Sequence, residues 1–191
     1  MAVLDILQIG QPLLRERARE LSRGELASPE TQSFIDDLVE TMRAANGAGI
    51  AAPQVGRSIR VCAIEVKDNP RYPYKPNIPL TILVNPVLTA VAGETFDNYE
   101  GCLSVPNLRG VVRRAAVVKL TAWDREGFDI SREIRGLTAG TFQHETDHLD
   151  GKLFLDRVED TTTLATWAEF DRFHKAAFIA RIVPFIARMG S

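Results

Sequence analysis

The chain has 191 residues, of which 45% are hydrophobic and 25% charged. These values are typical of a globular protein and exclude a fibrous or intrinsically disordered chain. A formal net charge of −2 gives no general positive field, so we expect no direct role with nucleic acid. The sequence has neither a signal-peptide pattern nor the roughly 20 consecutive apolar residues of a membrane span, and we therefore expect a cytoplasmic protein.

The first predicted elements are a helix and two strands. Ser28 and Pro29 are typical of a helix start, and apolar residues then recur at helical spacing, which predicts a helix over 29–45 that stops before Gly47. Alternating, β-branched sequences predict strands over 59–66 and 80–88. Cys62 is interpreted as a buried residue of the first strand.

The second half predicts a hairpin followed by helices. Residues 117–123 and 128–134 flank a short turn with Gly127, and two helical segments follow, over 137–149 and from about Thr163 to Arg181, where Pro184 interrupts. The fold class is therefore α+β, with antiparallel sheets around a central helix and with N- and C-terminal helices. We expect one domain over 1–191, with 163–191 as a C-terminal helical extension whose apolar stripe packs on the body.

The most informative pattern lies in the second of these helices. His144-Glu145-Thr146-Asp147-His148 has the form H-E-x-x-H, which places two imidazoles one helical turn apart on the same face. Both can reach one cation, and Glu145 beside them can take a proton from water and deliver it to a leaving group. The pattern predicts a metal-dependent hydrolase.

A catalytic site of this kind needs a third protein ligand and an open position. The chain has 3 histidines and 2 cysteines, and the third histidine, His174, is interpreted as a surface residue. Spacing alone leaves Cys102, Glu159 and Glu169 as candidates for the third ligand.

Three segments together resemble a known family. They are Gly47-Ala48-Gly49-Ile50-Ala51-Ala52-Pro53-Gln54, then Glu100-Gly101-Cys102-Leu103-Ser104, then Gln143-His144-Glu145-Thr146-Asp147-His148. In this order they are similar to the signature motifs of peptide deformylases, and the similarity extends from about Ile6 to Phe154. The resemblance implies removal of the formyl group from the N-terminal methionine of nascent polypeptides, with release of formate.

The resemblance also implies roles for individual residues. Cys102, His144 and His148 match the ligands of a cation that is typically Fe²⁺ in the family; Zn²⁺, Ni²⁺ and Co²⁺ also suit this ligand set. Glu145 matches the catalytic residue, and we expect its pKa to lie near neutrality. Gln54 and the backbone N–H of Leu103 match the donors that stabilise the oxyanion.

Other positions are predicted to contact the substrate. Arg109 matches a family position that contacts the substrate main chain, although an arginine of a solvated loop is the alternative. The glycines of the first motif would permit close approach and a positive φ. The predicted substrate-binding residues are Gly47, Ala48, Gly49, Arg109, Leu137, Gly140 and Thr141.

Several alternatives remain at this point. The function alternatives are another H-E-x-x-H metallopeptidase and a non-catalytic metal-binding or peptide-binding module. Glu100 is interpreted as a carboxylate that fixes a loop, with Arg113 or Arg114 as its partner, and Asp147 either orients a neighbour or is exposed. The extension could instead dock on the ribosome or form a homodimer, the protein otherwise being a monomer, and a cytoplasmic bacterial or an organellar location follows from the family.

Overall fold

The computed structural model describes residues 2–68, 73–91 and 93–190, and its strands form two antiparallel sheets. The strands are β1 (Gly49–Ala51), β2 (Val61–Val66), β3 (Ile78–Ala90), β4 (Thr95–Cys102), β5 (Val105–Ala115), β6 (Val117–Trp123) and β7 (Asp129–Arg135). Five of them form a sheet in the order β1-β2-β3-β6-β7, and β4 and β5 form a separate hairpin.

The helices flank these sheets. They are α1 (Arg23–Leu26), α2 (Pro29–Ala44), α3 (Gly136–Leu149), α4 (Trp167–Glu169) and α5 (Lys175–Met189). The Ser28 side chain accepts a hydrogen bond from the Thr31 backbone N–H and so caps α2 as its sequence predicts. The α+β fold class is confirmed, and apart from the C-terminal helix the predicted helices and strands agree with the structure to within a few residues.

The central helix α3 lies between the sheets. Its apolar side chains, Leu137, Ala139, Phe142 and Leu149, are fully buried and belong to a core shared with the large sheet and with α5. A second core cluster forms between α2 and the opposite face of the sheet, with Phe34, Leu38, Val61 and Val84. Cys62 is fully buried in β2, as predicted. In the described parts of the chain, no helix is both long and apolar enough to cross a membrane.

Sequence patterns missed the β4–β5 hairpin. Period-two alternation is present in β4, but its buried positions include Asn98 and Glu100, and β5 buries Arg109 and Arg114. A rule that places apolar residues inside therefore does not recognise these strands. The hairpin places Cys102 at the end of β4, opposite Val105.

The C-terminal helix is longer than predicted. Helical structure runs from Trp167 through a π-helical turn at 170–174 and continues past Pro184 to Met189. The prediction that Pro184 ends the helix is wrong, because residues beyond it still pack on the core: Phe185 stacks on Phe96 with ring centroids 4.6 Å apart. The apolar stripe, with Phe170, Phe178 and Ile182 buried, lies on the body of the molecule.

Candidate functional site

The candidate metal ligands come from α3 and the end of β4. One nitrogen each of His144 and His148 and the Sγ of Cys102 all lie within 4.8 Å of one another. Cys102 Sγ is 3.3 Å from His148 Nε2. The third member of the group is therefore Cys102; Glu159 and Glu169 do not join it. His174 is exposed, as predicted.

Glu100 orients the imidazole of His144. Its Oε2 lies 2.8 Å from His144 Nδ1, and since an ionised carboxylate only accepts, Nδ1 carries the hydrogen. The opposite nitrogen, Nε2, then presents its lone pair toward the group, as metal binding requires. Glu100 thus acts on a ligand, beyond the predicted role of fixing a loop.

Glu100 is itself held by a buried arginine. Arg114 donates from Nε and Nη2 to the two oxygens of Glu100, each at 2.8 Å, and from Nη1 to Asp147 Oδ2 at 2.6 Å. Arg157 donates to the other oxygen of Asp147 at 2.6 Å. The predicted partner Arg114 is thus confirmed, whereas Arg113 binds Asp97 on the surface. Asp147 is buried and fixes these arginines.

The electrostatics of this cluster favour ionised side chains. Burial raises the pKa of Glu100, but the charge and hydrogen bonds of Arg114 outweigh it and hold that pKa far below its ordinary value. Burial also raises the pKa of Asp147, but the hydrogen bonds and charges of Arg157 and Arg114 outweigh this effect and hold that pKa below its ordinary value. At Cys102 burial is outweighed by His148 and His144, which lowers the pKa to about 5. The thiolate, the form that binds metals, is therefore favoured.

Glu145 lies in a different environment. Its side chain is 4% exposed, and its Oε2 has no hydrogen-bond partner among the described residues. Burial raises its pKa above the ordinary value, against the opposing effect of the two histidines. The direction is that expected of a group that takes up and returns a proton; the expected value near neutrality stays a hypothesis.

The glycine motif makes room for Glu145. A Cβ at Gly49 would overlap the carboxyl group of Glu145, so a larger residue there would force that carboxyl group to move. A Cβ at Gly47 would lie 3.1 Å from Leu103 Cδ1. Close approach of this loop to a substrate stays a prediction, and the predicted positive φ is wrong at both glycines: the left-handed residue after α2 is Asn46, with φ 51°.

Gln54 and Leu103 lie beside the candidate ligands. The Gln54 amide accepts from the Ala51 backbone N–H at 2.8 Å, which turns its Nε2 toward Ser104 Oγ at 3.1 Å and Cys102 Sγ at 3.5 Å. Leu103 directly follows Cys102 and lines the same cavity. Gln54 Nε2 and Leu103 thus lie beside the candidate ligands, and their action as donors to an oxyanion stays a prediction.

A cavity opens in front of the candidate ligands. Of the residues predicted to bind substrate, Gly47, Gly49, Gly140 and Thr141 line it, whereas Ala48 and Leu137 lie outside its wall, in the core. The structure adds lining residues that the sequence did not suggest: Lys75, Asn98 and Tyr99. They lie far from the recognised motifs or on the unrecognised strand β4, so no local signal marked them.

Arg109 is neither in a solvated loop nor in the cavity wall. It pairs with Gly101 across the hairpin, and because side chains alternate between the faces of a strand, it points away from Glu100 and Arg114. Its guanidinium donates to Tyr99 O at 2.6 Å and lies over the rings of Trp167 and Phe170. The solvated-loop alternative is wrong, and contact with substrate stays a prediction.

The donor set fits a transition-metal cation. One thiolate and two imidazoles are the soft and borderline ligands that Zn²⁺, Fe²⁺, Co²⁺ and Ni²⁺ accept, and three protein ligands leave a position for water or substrate. Glu100 supplies the carboxylate–histidine contact that usually accompanies such ligands. The residues present thus suit a catalytic metal centre.

Comparisons with known proteins agree with this geometry. A family model described as polypeptide deformylase matches residues 3–163. Peptide deformylase 1 of Prochlorococcus marinus is 42% identical over 172 residues, which cover 90% of this chain and 88% of that protein. Peptide deformylase 2 of Bordetella bronchiseptica is 43% identical over 157 residues, covering 82% and 88%.

Solved structures give the same result. The class I type b peptide deformylase of Acinetobacter baumannii, determined with Met-Ala-Ser bound, is similar with a TM-score of 0.79 at 39% identity, covering 82% of this chain and 99% of that one. The peptide deformylase of Thermotoga maritima has a TM-score of 0.74 at 31% identity, covering 84% and 100%. The chain belongs to the polypeptide deformylase family.

Proposed function

We propose that this protein removes the formyl group from the N-terminal formyl-methionine of nascent polypeptides at the site formed by Cys102, His144 and His148, with Glu145 as the residue that transfers the proton. Membership of the family supports the reaction. The single observation that carries the assignment of the site is the convergence of these three ligand atoms within 4.8 Å of one another, beside the buried Glu145.

We propose Fe²⁺ as the native cation, on the basis of the family, with Zn²⁺, Ni²⁺ and Co²⁺ as competent replacements. When bound, the cation supplies Lewis-acid activation of water and of the formyl carbonyl. Glu100 keeps the Nδ1 of His144 protonated, so that the other ring nitrogen remains available as a ligand.

Glu145 handles the proton of the reaction. Its carboxylate accepts a proton from the attacking water and gives it to the amide nitrogen as the C–N bond breaks, which yields formate and a free amino terminus. The raised pKa suits both steps, because the same group must act first as a base and then as an acid. Gly49 allows the carboxyl group to lie against the chain there.

Two donors are proposed to stabilise the negative charge that develops on the formyl oxygen. They are the Nε2 of Gln54, already directed toward Cys102, and the backbone N–H of Leu103. Gly47, Gly49, Gly140 and Thr141, which line the cavity, are proposed to border the substrate. Ala48 and Leu137 lie in the core behind these residues, and we propose that they shape the cavity by packing against its wall.

We further propose that 1–191 is one catalytic domain with 163–191 as its C-terminal extension. Its support is that Phe170, Phe178 and Ile182 join the core that also contains α3 and the large sheet. Since the apolar stripe is buried, docking to a ribosome would have to use the exposed, basic side of the helix. The oligomeric state, monomer or homodimer, and the location, cytoplasmic or organellar, stay predictions.

Formate release is the decisive assay. The protein, prepared without oxygen and loaded with Fe²⁺, is expected to release formate from a formyl-methionyl peptide; absence of formate would reject the proposal, and cleavage of internal bonds instead would favour a metallopeptidase. Cys102→Ser is expected to lower the bound metal measured by elemental analysis, whereas Cys62→Ala, in the buried strand β2, should retain it.

A further inference from the structure

A segment near the N-terminus runs past the elements that carry the site. Residues 4–18 are called the N-terminal strap below. The Leu4 N–H donates to Thr41 Oγ1 of α2 at 2.9 Å, and the Ala18 N–H donates to the backbone oxygen of Leu149, the last residue of α3, at 2.9 Å. Among the described residues that line the cavity, none belongs to the strap. The strap is therefore anchored at both ends and lies outside the cavity.

The middle of the strap joins the two segments that carry the proposed oxyanion donors. The Leu7 N–H donates to the backbone oxygen of Gln54 at 2.8 Å. The Ile9 N–H donates to the backbone oxygen of Ser104 at 2.7 Å. Since N–H groups two residues apart point to the same side of an extended chain, both bonds can form at once. The strap thus bridges two places that are about 50 residues apart in the sequence.

The side chain of Gln8 adds a third contact with the same region. Its Nε2 donates to the backbone oxygen of Leu103 at 3.3 Å and to that of Ile6 at 2.9 Å, which fixes the amide against its own segment. Leu4 and Ile6 pack on the core cluster of α2, and Leu103 packs on the same cluster. Polar and apolar contacts therefore hold the strap against the turn that contains Leu103.

The two donor segments depend on such a connection because neither lies within a long regular element. Gln54 belongs to a single turn of 3-10 helix (Ala52–Val55), and Leu103 and Ser104 form the short connection between β4 and β5. Groups on loops are held less precisely than groups on helices or strands unless other contacts support them. The strap supplies contacts of this kind to both segments.

We infer that residues 7–9 of the strap are positioning residues, which hold Gln54 and Leu103 at the separation at which both donors reach one substrate oxygen. This role rests on the proposed deformylase function and deepens it. Donors stabilise an oxyanion when they are already in place, and a displacement of about 1 Å can lower a rate by about 10²-fold. A strap that only stabilised the fold would alter unfolding and leave the turnover of the folded protein unchanged.

The turn at Ile9 allows one of these bonds to be removed with little strain. The Gln11 N–H donates to Gln8 O at 3.1 Å, which closes a β-turn around Ile9 and Gly10. Gly10 has φ 104° and Ile9 does not have a positive φ, a combination typical of a type II turn. Proline is favoured at the first central position of this turn and has no N–H. Ile9→Pro therefore removes the bond to Ser104 and retains the turn.

The first test compares Ile9→Pro with Ile9→Ala in the metal-loaded protein, acting on a formyl-methionyl peptide. Both changes remove a side chain that is 42% exposed, and proline alone also removes the N–H. Ile9→Pro is expected to lower kcat about tenfold with KM little changed, less than the roughly 10²–10³-fold that loss of a whole donor costs. Ile9→Ala should retain the kcat of the wild type, and equal kcat in the two variants would overturn the inference.

A second background separates positioning from general destabilisation. If the strap acts through the donors, Ile9→Pro should lower kcat by a smaller factor in Gln54→Ala than in the wild type, because one donor that it places is already absent. Equal factors in the two backgrounds would show that the changes are independent, and that result would contradict the positioning role. Each kcat is measured well below the unfolding temperature of the variant.

Gln8→Met covers the case in which Ile9→Pro fails to fold. It removes the donor to Leu103 O with little change of shape and should lower kcat by a smaller factor, about threefold, because this contact is longer. Gln11→Met, the same change at another exposed position of the strap, is the matched control and should leave kcat unaltered. No difference between these two variants would count against the strap as a positioning element.

Nuclear magnetic resonance of the Zn²⁺-loaded protein distinguishes failure of this inference from failure of the proposed function. In Ile9→Pro, and not in Ile9→Ala, the side-chain amide resonances of Gln54 should shift and the backbone amides of Leu103 and Ser104 should exchange faster with solvent. These changes, in a protein whose wild type releases no formate, would reject deformylation and support positioning by the strap. Unchanged resonances and exchange would overturn the role of the strap, and formate release by the wild type would then leave deformylation intact.

Discussion

The two faces of the β4–β5 hairpin bury different kinds of side chain. On the face toward α3, Glu100 and Arg114 are buried as an ion pair that continues to His144 and Asp147. On the other face, Tyr99 and Arg109 lie under the aromatic residues of the C-terminal helix. Consecutive residues of β4, such as Tyr99 and Glu100, thus belong to different clusters, because side chains along a strand alternate between its two faces.

Comparison of the two faces separates the contacts that orient the site from those that mainly stabilise the fold. Buried ion pairs bring large desolvation penalties and are weak evidence for stability, but they hold charged groups in defined positions. Apolar contacts are not directional and contribute stability in proportion to the buried area. We therefore expect changes on the α3 side to affect turnover most and changes under the C-terminal helix to affect mainly stability.

The largest effect is expected at Glu145. Glu145→Gln keeps the shape of the side chain but cannot accept a proton, so kcat for formate release should fall by about 10²–10⁴-fold while bound metal is unchanged. Glu159→Gln, at an exposed position outside the metal group, is the matched control and should alter neither quantity. Retained turnover in Glu145→Gln would contradict its role in proton transfer.

Removal of Arg114 tests the ionic face. Arg114→Met leaves Glu100 without its bidentate partner, and loss of one member of a buried pair costs about 3–5 kcal/mol in the free energy of unfolding. Chemical denaturation measures this loss, and kcat should also fall because His144 loses its fixed orientation. Arg113 is next in the chain but is exposed and paired with Asp97, so Arg113→Met should change neither the free energy of unfolding nor kcat by much. Equal effects of Arg113→Met and Arg114→Met would argue against a special role of the buried contacts of Arg114 with Glu100 and Asp147.

The apolar face is tested at Ile182, which is 2% exposed in α5. Ile182→Ala should lower the free energy of unfolding by about 3 kcal/mol, since it removes buried methyl groups and leaves a cavity. Bound metal and kcat at low temperature should change far less than in Arg114→Met. Val183→Ala, on the exposed side of the same helix, is the control, and a loss of turnover as large as that of Arg114→Met would remove the contrast between the faces.

Local patterns predicted most of the helices and strands. The start of α2 follows from Ser28 and Pro29, and the hairpin β6–β7 follows from two alternating segments around Gly127. The end of the C-terminal helix was missed, because the local rule for Pro184 is overridden by the packing of Phe185 on Phe96. The hairpin β4–β5 was missed because its buried side chains are charged, and their partners are distant in the chain.

By itself, the sequence determined the helical pair of histidines with Glu145 between them, because helical spacing is a local property of the chain. Family motifs added Cys102, Gln54 and Leu103. Tertiary structure alone decided the partner of Glu100, the burial of Arg109 beneath the C-terminal helix and the arrival of Lys75 beside Thr141. These depend on which strand face meets which helix, and that follows from long-range packing, which no local pattern encodes.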